Sequence, residues 1–386
     1  MDTGERNLYA LQWPPGQDVV AAFQRLWDEG AAILPVRPDL PPPALRALLD
    51  RARPAALVDV SGEMALPRAV PVAAGTALCV PTAGSTGEPK LVLLSHAALE
   101  TAARLTNERL GLTGERWLCA LPLDHVAGLM ILVRARLAGA EPVVLPRFDP
   151  EAVGDVDGDV ISLVPTMLDR LVATGADLRR FRWILLGGAA VRPELLERAR
   201  AAGARIVRTY GMTETCGGVV YDGVPLEGVR VGVGADGMIR LHTPTVMDGY
   251  RFDDVATAAA FEDGWFVTGD LGEWDGEGLR VLGRADEVIV TGGEKVSPQE
   301  VEAILASHPS VADVAVAGLP DDEWGQRVVA YVVPSAGTAP TLAELRSHVG
   351  AAAAPYKAPK ELVLVDDLPR LPSGKVARAS LSSKPG

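Results

Sequence analysis

Between Trp117 and Thr209, short apolar runs alternate with segments of helical spacing, and this alternation narrows the possible folds more than any other feature. The strand candidates are Trp117–Ala120, Pro142–Leu145, Val160–Val164, Trp183–Leu186 and Arg205–Val207. Among them lie Val126–Leu137 and Pro193–Ala202, whose apolar residues recur at helical intervals. A helix between two strands carries the chain back across the sheet face, so successive strands pair in parallel. The sequence therefore predicts a parallel sheet covered by helices. Sheets of this kind take their ligands beyond the carboxyl ends of the strands.

The flanking regions read differently. Residues 1–80 form an Ala- and Pro-rich α/β lead-in, with a helix over Asp18–Glu29 stopped at Gly30, a second beginning at Pro41–Pro43, and a strand at Ala56–Val60. Residues 219–282 break into short apolar stretches separated by Gly and Asp turns, which predicts antiparallel β structure and a small barrel-like subdomain. Gly283-Arg-Ala-Asp286 reads as a boundary. Beyond it the chain predicts strands at Glu287–Thr291, Val311–Ala317, Arg327–Val333 and Glu361–Val365 and a helix over Leu342–Val349. A further helix starts at Ser297 (N-cap), with Pro298 at its first position and Glu300 completing a capping box. The expectation is α/β combined with α+β: a large N-terminal domain, residues 1–285, and a small α+β C-terminal domain, residues 286–386.

With 386 residues, 48% hydrophobic and 23% charged, the chain can bury a large core. No apolar run reaches the length of a membrane span, and the N-terminal residues MDTGERNLYALQW hold no signal-peptide core, so a cytoplasmic location is expected. The net charge of −13 argues against nucleic-acid or anionic-membrane partners. An anionic ligand must then be held by local positive charge. Cys79, Cys119 and Cys216 have no disulfide or zinc-site spacing.

Local positive charge appears in Pro81–Leu94, PTAGSTGEPKLVLL, where Gly84 and Gly87 are flanked by Ser85, Thr86 and Lys90. Such a loop can wrap phosphate oxygens with N–H groups, hydroxyls and a lysine. An ordinary surface turn is the competing reading. The spacing is not that of P-loop NTPases, because Lys90 follows Pro89 and precedes Leu91. His125 stands past a strand end in LPLDHVAG, and Gly187-Gly188-Ala189 follows the apolar strand WILL. The segment RTYGMTE, residues 208–214, offers an aromatic plane in Tyr210, a hydroxyl in Thr213 and a carboxylate in Glu214 suited to Mg²⁺. Gly232–Gly237 fits a dinucleotide fingerprint by letter, but the strand-like MIRLHT follows it, so Asp236-Gly237 is read as a hairpin turn. Asp270 in Thr268-Gly-Asp270 could accept hydrogen bonds from ribose hydroxyls, and Lys375 sits in a Pro-Ser-Gly-Lys turn near the C-terminus.

In this order, TAGSTGEPK, TYGMTE, TGD, GRADEVIVTGGEKVSPQEVE and PSGK resemble the motifs of the adenylate-forming superfamily of acyl-CoA synthetases, luciferases and peptide-synthetase adenylation domains, over roughly Cys79 to Arg378. The resemblance implies ATP, Mg²⁺ and coenzyme A as ligands. Thr82, Ser85, Thr86, Gly87 and Lys90 would hold the β- and γ-phosphates. Gly188, Ala189, Tyr210 and Gly211 would frame the adenine, Thr213 would contact the α-phosphate, and Glu214 would hold Mg²⁺. Asp270 and Arg284 would bind the ribose, Asp286 would be the hinge of a mobile C-terminal domain, and Lys375 would bridge the acyl carboxylate and the α-phosphate. Gly292 and Gly293 would line part of a thiol tunnel.

A narrower similarity is carried by LPLDHVAGLMILVRARLAGA and VRTYGMTETCGGVVYDGVPLEGVRV, which look like the short actinobacterial o-succinylbenzoate–CoA ligases of menaquinone biosynthesis. It implies an aromatic carboxylic acid held by His125, Ser162, Thr166, Gly211 and Met212, with Arg134 or Arg208 as partner of the second carboxylate. Homo-oligomers are compatible with that family. Two departures stand out: Leu91 replaces a usual glycine, and Ala83 a usual hydroxyl residue. The N-terminal subdomain also reads as shorter than in most relatives. The alternatives are another aryl- or acyl-CoA ligase, an adenylation enzyme loading a separate carrier protein, and a nucleotide sensor without catalysis, against which Glu214 and Lys375 both speak.

Overall fold

A computed structural model describes residues 4–82, 89–370 and 376–381. The chain divides into two compact units, residues 1–188, 198–231 and 240–267 in the first and 189–197, 232–239 and 268–386 in the second.

The first unit holds the predicted parallel sheet. Its strand order is Val143–Val144, Trp117–Cys119, Val160–Leu163, Trp183–Leu186, Ile206–Met212, Gly217–Tyr221 and Val224–Pro225. The first five are parallel and the last two antiparallel. Helix Val126–Leu137 lies where its spacing placed it and is buried almost throughout, as an all-round apolar helix must be. Its third residue must be glycine, because a Cβ on Gly128 would stand 2.3 Å from the Pro122 carbonyl oxygen.

A second seven-stranded sheet runs Gly249–Tyr250, Lys90–Ser95, Thr76–Thr82, Ala32–Val36, Leu8–Gln12, Ala56–Asp59 and Gly62–Ala65. Its core includes Leu8, Leu34, Cys79 and Leu91. Leu91 is 1% exposed, so the unusual residue after Lys90 is a core side chain. The helices predicted in the lead-in are Asp18–Asp28 and Pro42–Ala52.

Two expectations change. The RTYGMTE segment is not a loop after a strand at Val207: the strand continues to Met212, pairs with Gly217–Tyr221, and passes into a 3-10 turn at Thr213–Thr215. Glycines permit this, because a Cβ on Gly211 would lie 1.9 Å from the Gly217 carbonyl oxygen. Most of the β-rich stretch 219–282 gathers as expected into one sheet, ordered Arg230–Val233, Met238–His242, Trp265–Trp274 and Phe261–Glu262, with Leu279–Arg284 antiparallel to Trp265–Trp274, but its first strand and one from its middle join the other sheets. Gly217–Tyr221 extends the parallel sheet, Gly249–Tyr250 joins the strand after Lys90, and Trp265–Trp274 runs straight through Thr268-Gly-Asp270. The Gly232–Gly237 segment is a hairpin turn, as read from the sequence, with Gly237 at φ +80° and Met238 N–H donating to Asp236 Oδ1.

The second unit contains a sheet ordered Glu294–Val296, Ile289–Thr291, Gly325–Pro334 and Val311–Asp321, with Glu361–Leu364 parallel to Gly325–Pro334. Helices Pro298–Ala306 and Leu342–Ala352 pack on it through Val301, Leu305, Leu345 and Val349. Ser297 caps the first by accepting from Glu300 N–H at 3.3 Å. The reciprocal half of that capping box is absent, because Glu300 accepts from Lys357 Nζ at 2.7 Å through both oxygens. An ammonium partner outcompetes a neutral backbone N–H. A complete capping box stands at Thr341 and Glu344.

Candidate functional site

In the first unit two antiparallel strands, Thr76–Thr82 and Lys90–Ser95, flank the phosphate-loop motif. Thr82 stands opposite Lys90 and Pro81 opposite Leu91, and Thr82 Oγ1 donates to the Lys90 carbonyl at 3.4 Å. Ser85, Thr86 and Gly87 lie outside the described residues. Lys90 Nζ is 4.5 Å from the centre of the Tyr250 ring. On the far end of the same ring, Tyr250 Oη donates to Glu214 Oε1 at 3.0 Å. Tyr250 thus stands between two residues singled out in sequence, although nothing in its own surroundings drew attention to it. A lone Gly-Tyr pair in a β-rich stretch carries no local signal.

Thr213 and Glu214 project from the 3-10 turn that follows Met212. Thr215 fastens the turn, with its Oγ1 accepting from Met212 N–H at 3.0 Å and donating to the Gly217 carbonyl at 2.8 Å. Cys216 then adopts a left-handed conformation, φ +53°, which costs a non-glycine residue roughly 1–2 kcal/mol. The half-buried Glu214 carboxylate receives no cation among the described residues. That arrangement suits Mg²⁺, which takes few protein carboxylates and completes its octahedron with water and phosphate oxygens. Among the described residues no cluster of three acidic, His or Cys side chains forms a metal cage.

Gly187 and Gly188 follow strand Trp183–Leu186 as predicted. A Cβ on Gly187 would be 2.4 Å from Thr209 Oγ1, and Gly188 has φ +82°. Both positions favour glycine, Gly187 through its close approach to Thr209 and Gly188 through its left-handed backbone. Tyr210 is half-buried beside them in the strand, opposite Val220.

The acid-binding candidates fall into distinct environments. His125 is exposed at the start of helix Val126–Leu137, with Nε2 3.8 Å from Asp124 Oδ2, and Thr166 is exposed in helix Pro165–Ala173. Ser162 is 7% exposed and its hydroxyl has no partner among the described residues. The two arginines separate cleanly. Arg208 is exposed and paired with Asp222, Nε to Oδ1 3.2 Å. Arg134 is 5% exposed and lies 5.2 Å from the Trp117 ring. Its Nη2 would be 4.0 Å from a Cβ on Gly217, which directs the guanidinium at the turn after Glu214. No carboxylate or hydrogen-bond acceptor engages the Arg134 guanidinium among the described residues, and burial pushes its pKa down. A buried cation without a counter-charge is costly, so an anion that completes it is strongly favoured.

The remaining predicted residues belong to the second unit. Asp270 stands opposite Arg284 in antiparallel register, with Arg284 Nη1 3.4 Å from Asp270 Oδ1. Arg284 also donates through Nε to Asp286 Oδ1 at 3.1 Å, and Gly269 leaves room for this guanidinium. Gly292 and Gly293, φ +61° and +85°, form a two-residue hairpin turn between Ile289–Thr291 and Glu294–Val296. Gly292 N–H donates to the Trp324 carbonyl at 2.8 Å, and Lys360 Nζ lies 4.1 Å from the exposed Trp324 ring. That cation–aromatic pair was not visible in sequence, because its members are far apart in the chain. Ala189 also belongs to this unit, and Lys375 lies outside the described residues.

Comparison with known proteins places this architecture. Residues 66–237 match the model of the AMP-binding enzymes, and residues 300–375 match the AMP-binding enzyme C-terminal domain. A probable 2-succinylbenzoate–CoA ligase of Mycobacterium tuberculosis is 46% identical over 321 residues, covering 79% of this chain and 83% of the relative. The chain belongs to the AMP-binding enzyme family. It is an AMP-forming ligase of the fold expected from its motifs. An indoleacetate–CoA ligase of Aromatoleum aromaticum is 38% identical over 357 residues, covering 84% of this chain and 70% of the relative. The solved o-succinylbenzoate CoA synthetase of Bacillus subtilis, in complex with an acyl-adenylate intermediate, superposes with a TM-score of 0.87 at 29% identity, covering 99% of this chain and 89% of that one. Among the described residues of this AMP-binding enzyme, no helix is long and apolar enough to cross a membrane.

All three cysteines are buried. Burial pushes the Cys79 and Cys119 thiols up to about 12, and raises Cys216 as well. A thiolate is the reactive form. The native enzyme at pH 8 is therefore expected to leave a chromogenic disulfide reagent unreacted, and the unfolded enzyme to consume one equivalent per cysteine. Fast reaction of one native thiol that disappears in Cys216→Ala would show that Cys216, beside the Glu214 turn, is accessible.

Proposed function

We propose that this enzyme converts 2-succinylbenzoate to its coenzyme A thioester through an acyl-adenylate, in menaquinone biosynthesis and in the cytoplasm. The observation that carries the substrate is Arg134, a buried guanidinium without a counter-charge, aimed at the turn that bears Glu214. An acid with two carboxylates can leave one on Arg134 while the other reacts. The unpartnered Ser162 hydroxyl offers a second polar contact, and His125, Thr166, Gly211 and Met212 complete the proposed acid pocket.

In the first step a carboxylate oxygen attacks the α-phosphorus of ATP, the α–β phosphoanhydride bond breaks and pyrophosphate leaves. In the second the coenzyme A thiol attacks the acyl carbonyl and AMP departs. Two anions meet in the first step, so cationic groups at the phosphates decide its rate. When bound at Glu214, Mg²⁺ would supply divalent charge to the phosphate oxygens. Lys90, with Thr82, Ser85, Thr86 and Gly87, is assigned to the β- and γ-phosphates, and Thr213 to the α-phosphate. Gly188, Ala189, Tyr210 and Gly211 are assigned to the adenine and Asp270 with Arg284 to the ribose. Lys375 is assigned to the reacting carboxylate and α-phosphate, on a domain of residues 286–386 that turns at Asp286. Gly292 and Gly293 are assigned to the thiol's approach, with Trp324 and Lys360 beside them.

The test is acid-dependent thioester formation with ATP, Mg²⁺ and coenzyme A, read by mass spectrometry. The acids are 2-succinylbenzoate, benzoate, indoleacetate, malonate and a medium-chain fatty acid. Product with 2-succinylbenzoate at far higher kcat/KM than with any other acid is expected. A preference for indoleacetate or benzoate would overturn the substrate and make this another aryl-CoA ligase. Adenylate without thioester would point instead to a separate carrier protein.

A further inference from the structure

Tyr250 touches both the phosphate-loop lysine and the metal-site carboxylate. Its ring centre is 4.5 Å from Lys90 Nζ and its hydroxyl donates to Glu214 Oε1 at 3.0 Å. The surrounding backbone is stapled to the same two elements. Met247 N–H donates to the Glu214 carbonyl at 2.8 Å, Asp248 N–H to the Leu93 carbonyl at 2.9 Å, and Arg251 N–H to the Leu91 carbonyl at 2.8 Å. Gly249 and Tyr250 pair with Leu93 and Val92 of the strand that begins at Lys90.

The tyrosine is fixed from the other side as well. Its N–H donates to Thr257 Oγ1 at 2.8 Å, and the φ of +150° at Gly249 allows the chain to pass where a Cβ would be 2.9 Å from Thr257. The next residue, Arg251, donates to the Ala52 carbonyl at 2.7 Å and the Pro71 carbonyl at 3.3 Å. A side chain needed only to fill the core would not require its hydroxyl on a carboxylate. Here the polar tip is spent on a group that otherwise has no donor among the described residues.

We infer that Tyr250 is a positioning residue that couples the two ends of the triphosphate site: its hydroxyl orients Glu214 for Mg²⁺, and its ring face holds Lys90 toward the β- and γ-phosphates. This rests on the ATP-dependent reading above and adds to it a residue that neither the motifs nor their order contain. The two halves of the tyrosine are separable. Phenylalanine keeps the ring beside Lys90 and removes the hydroxyl, whereas leucine removes both.

The experiment is calorimetric titration of ATP into the full-length protein across a Mg²⁺ series, without acid or coenzyme A. Tyr250→Phe is expected to raise the Mg²⁺ concentration at half-effect about tenfold, the size of a lost hydrogen bond to a charged group, with ATP affinity at saturating Mg²⁺ little changed. Tyr250→Leu is expected to weaken ATP and pyrophosphate binding even at saturating Mg²⁺. In the background of Glu214→Gln, Tyr250→Phe should add no further Mg²⁺ shift, because residues acting through one contact are not additive. A Tyr250→Phe curve that superposes on the wild type, or a shift that is fully additive with Glu214→Gln, overturns the inference. The cycle uses only the conservative variants, so it decides the matter even if Tyr250→Leu fails to fold. If the wild type makes no thioester from 2-succinylbenzoate while these Mg²⁺ shifts appear, the substrate reading fails and the role of Tyr250 stands.

Discussion

Arg134→Met is expected to lower kcat/KM for 2-succinylbenzoate by about 30-fold to several thousand-fold, the ~2–5 kcal/mol lost when one partner of a buried charge pair is removed. Use of acids with a single carboxylate should fall far less, because they never engage the guanidinium. Stability should not fall with it. Arg134 is buried against Trp117 without a carboxylate, and its charge is disfavoured there. Methionine has similar reach and no charge to desolvate, so thermal unfolding is expected at an equal or higher temperature. Steady-state kinetics on the acid panel, beside a melting curve, checks both halves. Equal losses for all acids together with a lower Tm would make Arg134 a packing residue. The parallel change Arg208→Met is expected to act mildly, since Arg208 is an exposed partner of Asp222.

Lys375→Ala is expected to slow acyl-adenylate formation by about 10²–10³-fold, the usual effect of deleting one group that stabilises developing charge. Thioester formation from a supplied acyl-adenylate should be little affected, because the thiol attacks a carbonyl that is already activated. The two half-reactions are read separately, by pyrophosphate release and by AMP release from synthetic adenylate. Equal losses in both would remove Lys375 from its assigned role. The described residues on either side are firmly held. Arg370 bridges to Val376 and bonds Asp313, and Arg378 donates from Nη2 to both Glu302 oxygens at 2.7 Å and from Nη1 to Glu287 at 3.0 Å. Glu302 is half-buried, and desolvation raises its pKa in spite of Arg378.

Much of the architecture could be read locally. Helix Val126–Leu137 and strand Trp183–Leu186 begin and end where their side-chain periodicity puts them. The Gly292-Gly293 turn and the Ser297 cap are set by φ preference and by a hydroxyl within reach of a free N–H, which are properties of a few adjacent residues. Where the sequence reading stopped short, a distant partner intervened. The strand through Tyr210 runs on to Met212 because Gly211 meets Gly217 and Gly218, six and seven residues on, where no Cβ would fit between the backbones. The reciprocal cap at Glu300 is lost to Lys357, more than fifty residues away.

The same division holds for function. The order of the motifs, from the Gly-rich loop at Gly84 to the lysine at 375, was enough to assign the AMP-binding family and its ATP chemistry, because those residues act through the chemical groups they carry. The sequence left Arg134 and Arg208 as equals, and it passed over Tyr250. Only packing separates a buried guanidinium from one paired at the surface, because the cost of a charge depends on how much water and counter-charge surround it. Only packing brings Tyr250 to residues 36 and 160 positions away, because a strand pairing and not chain proximity sets that distance.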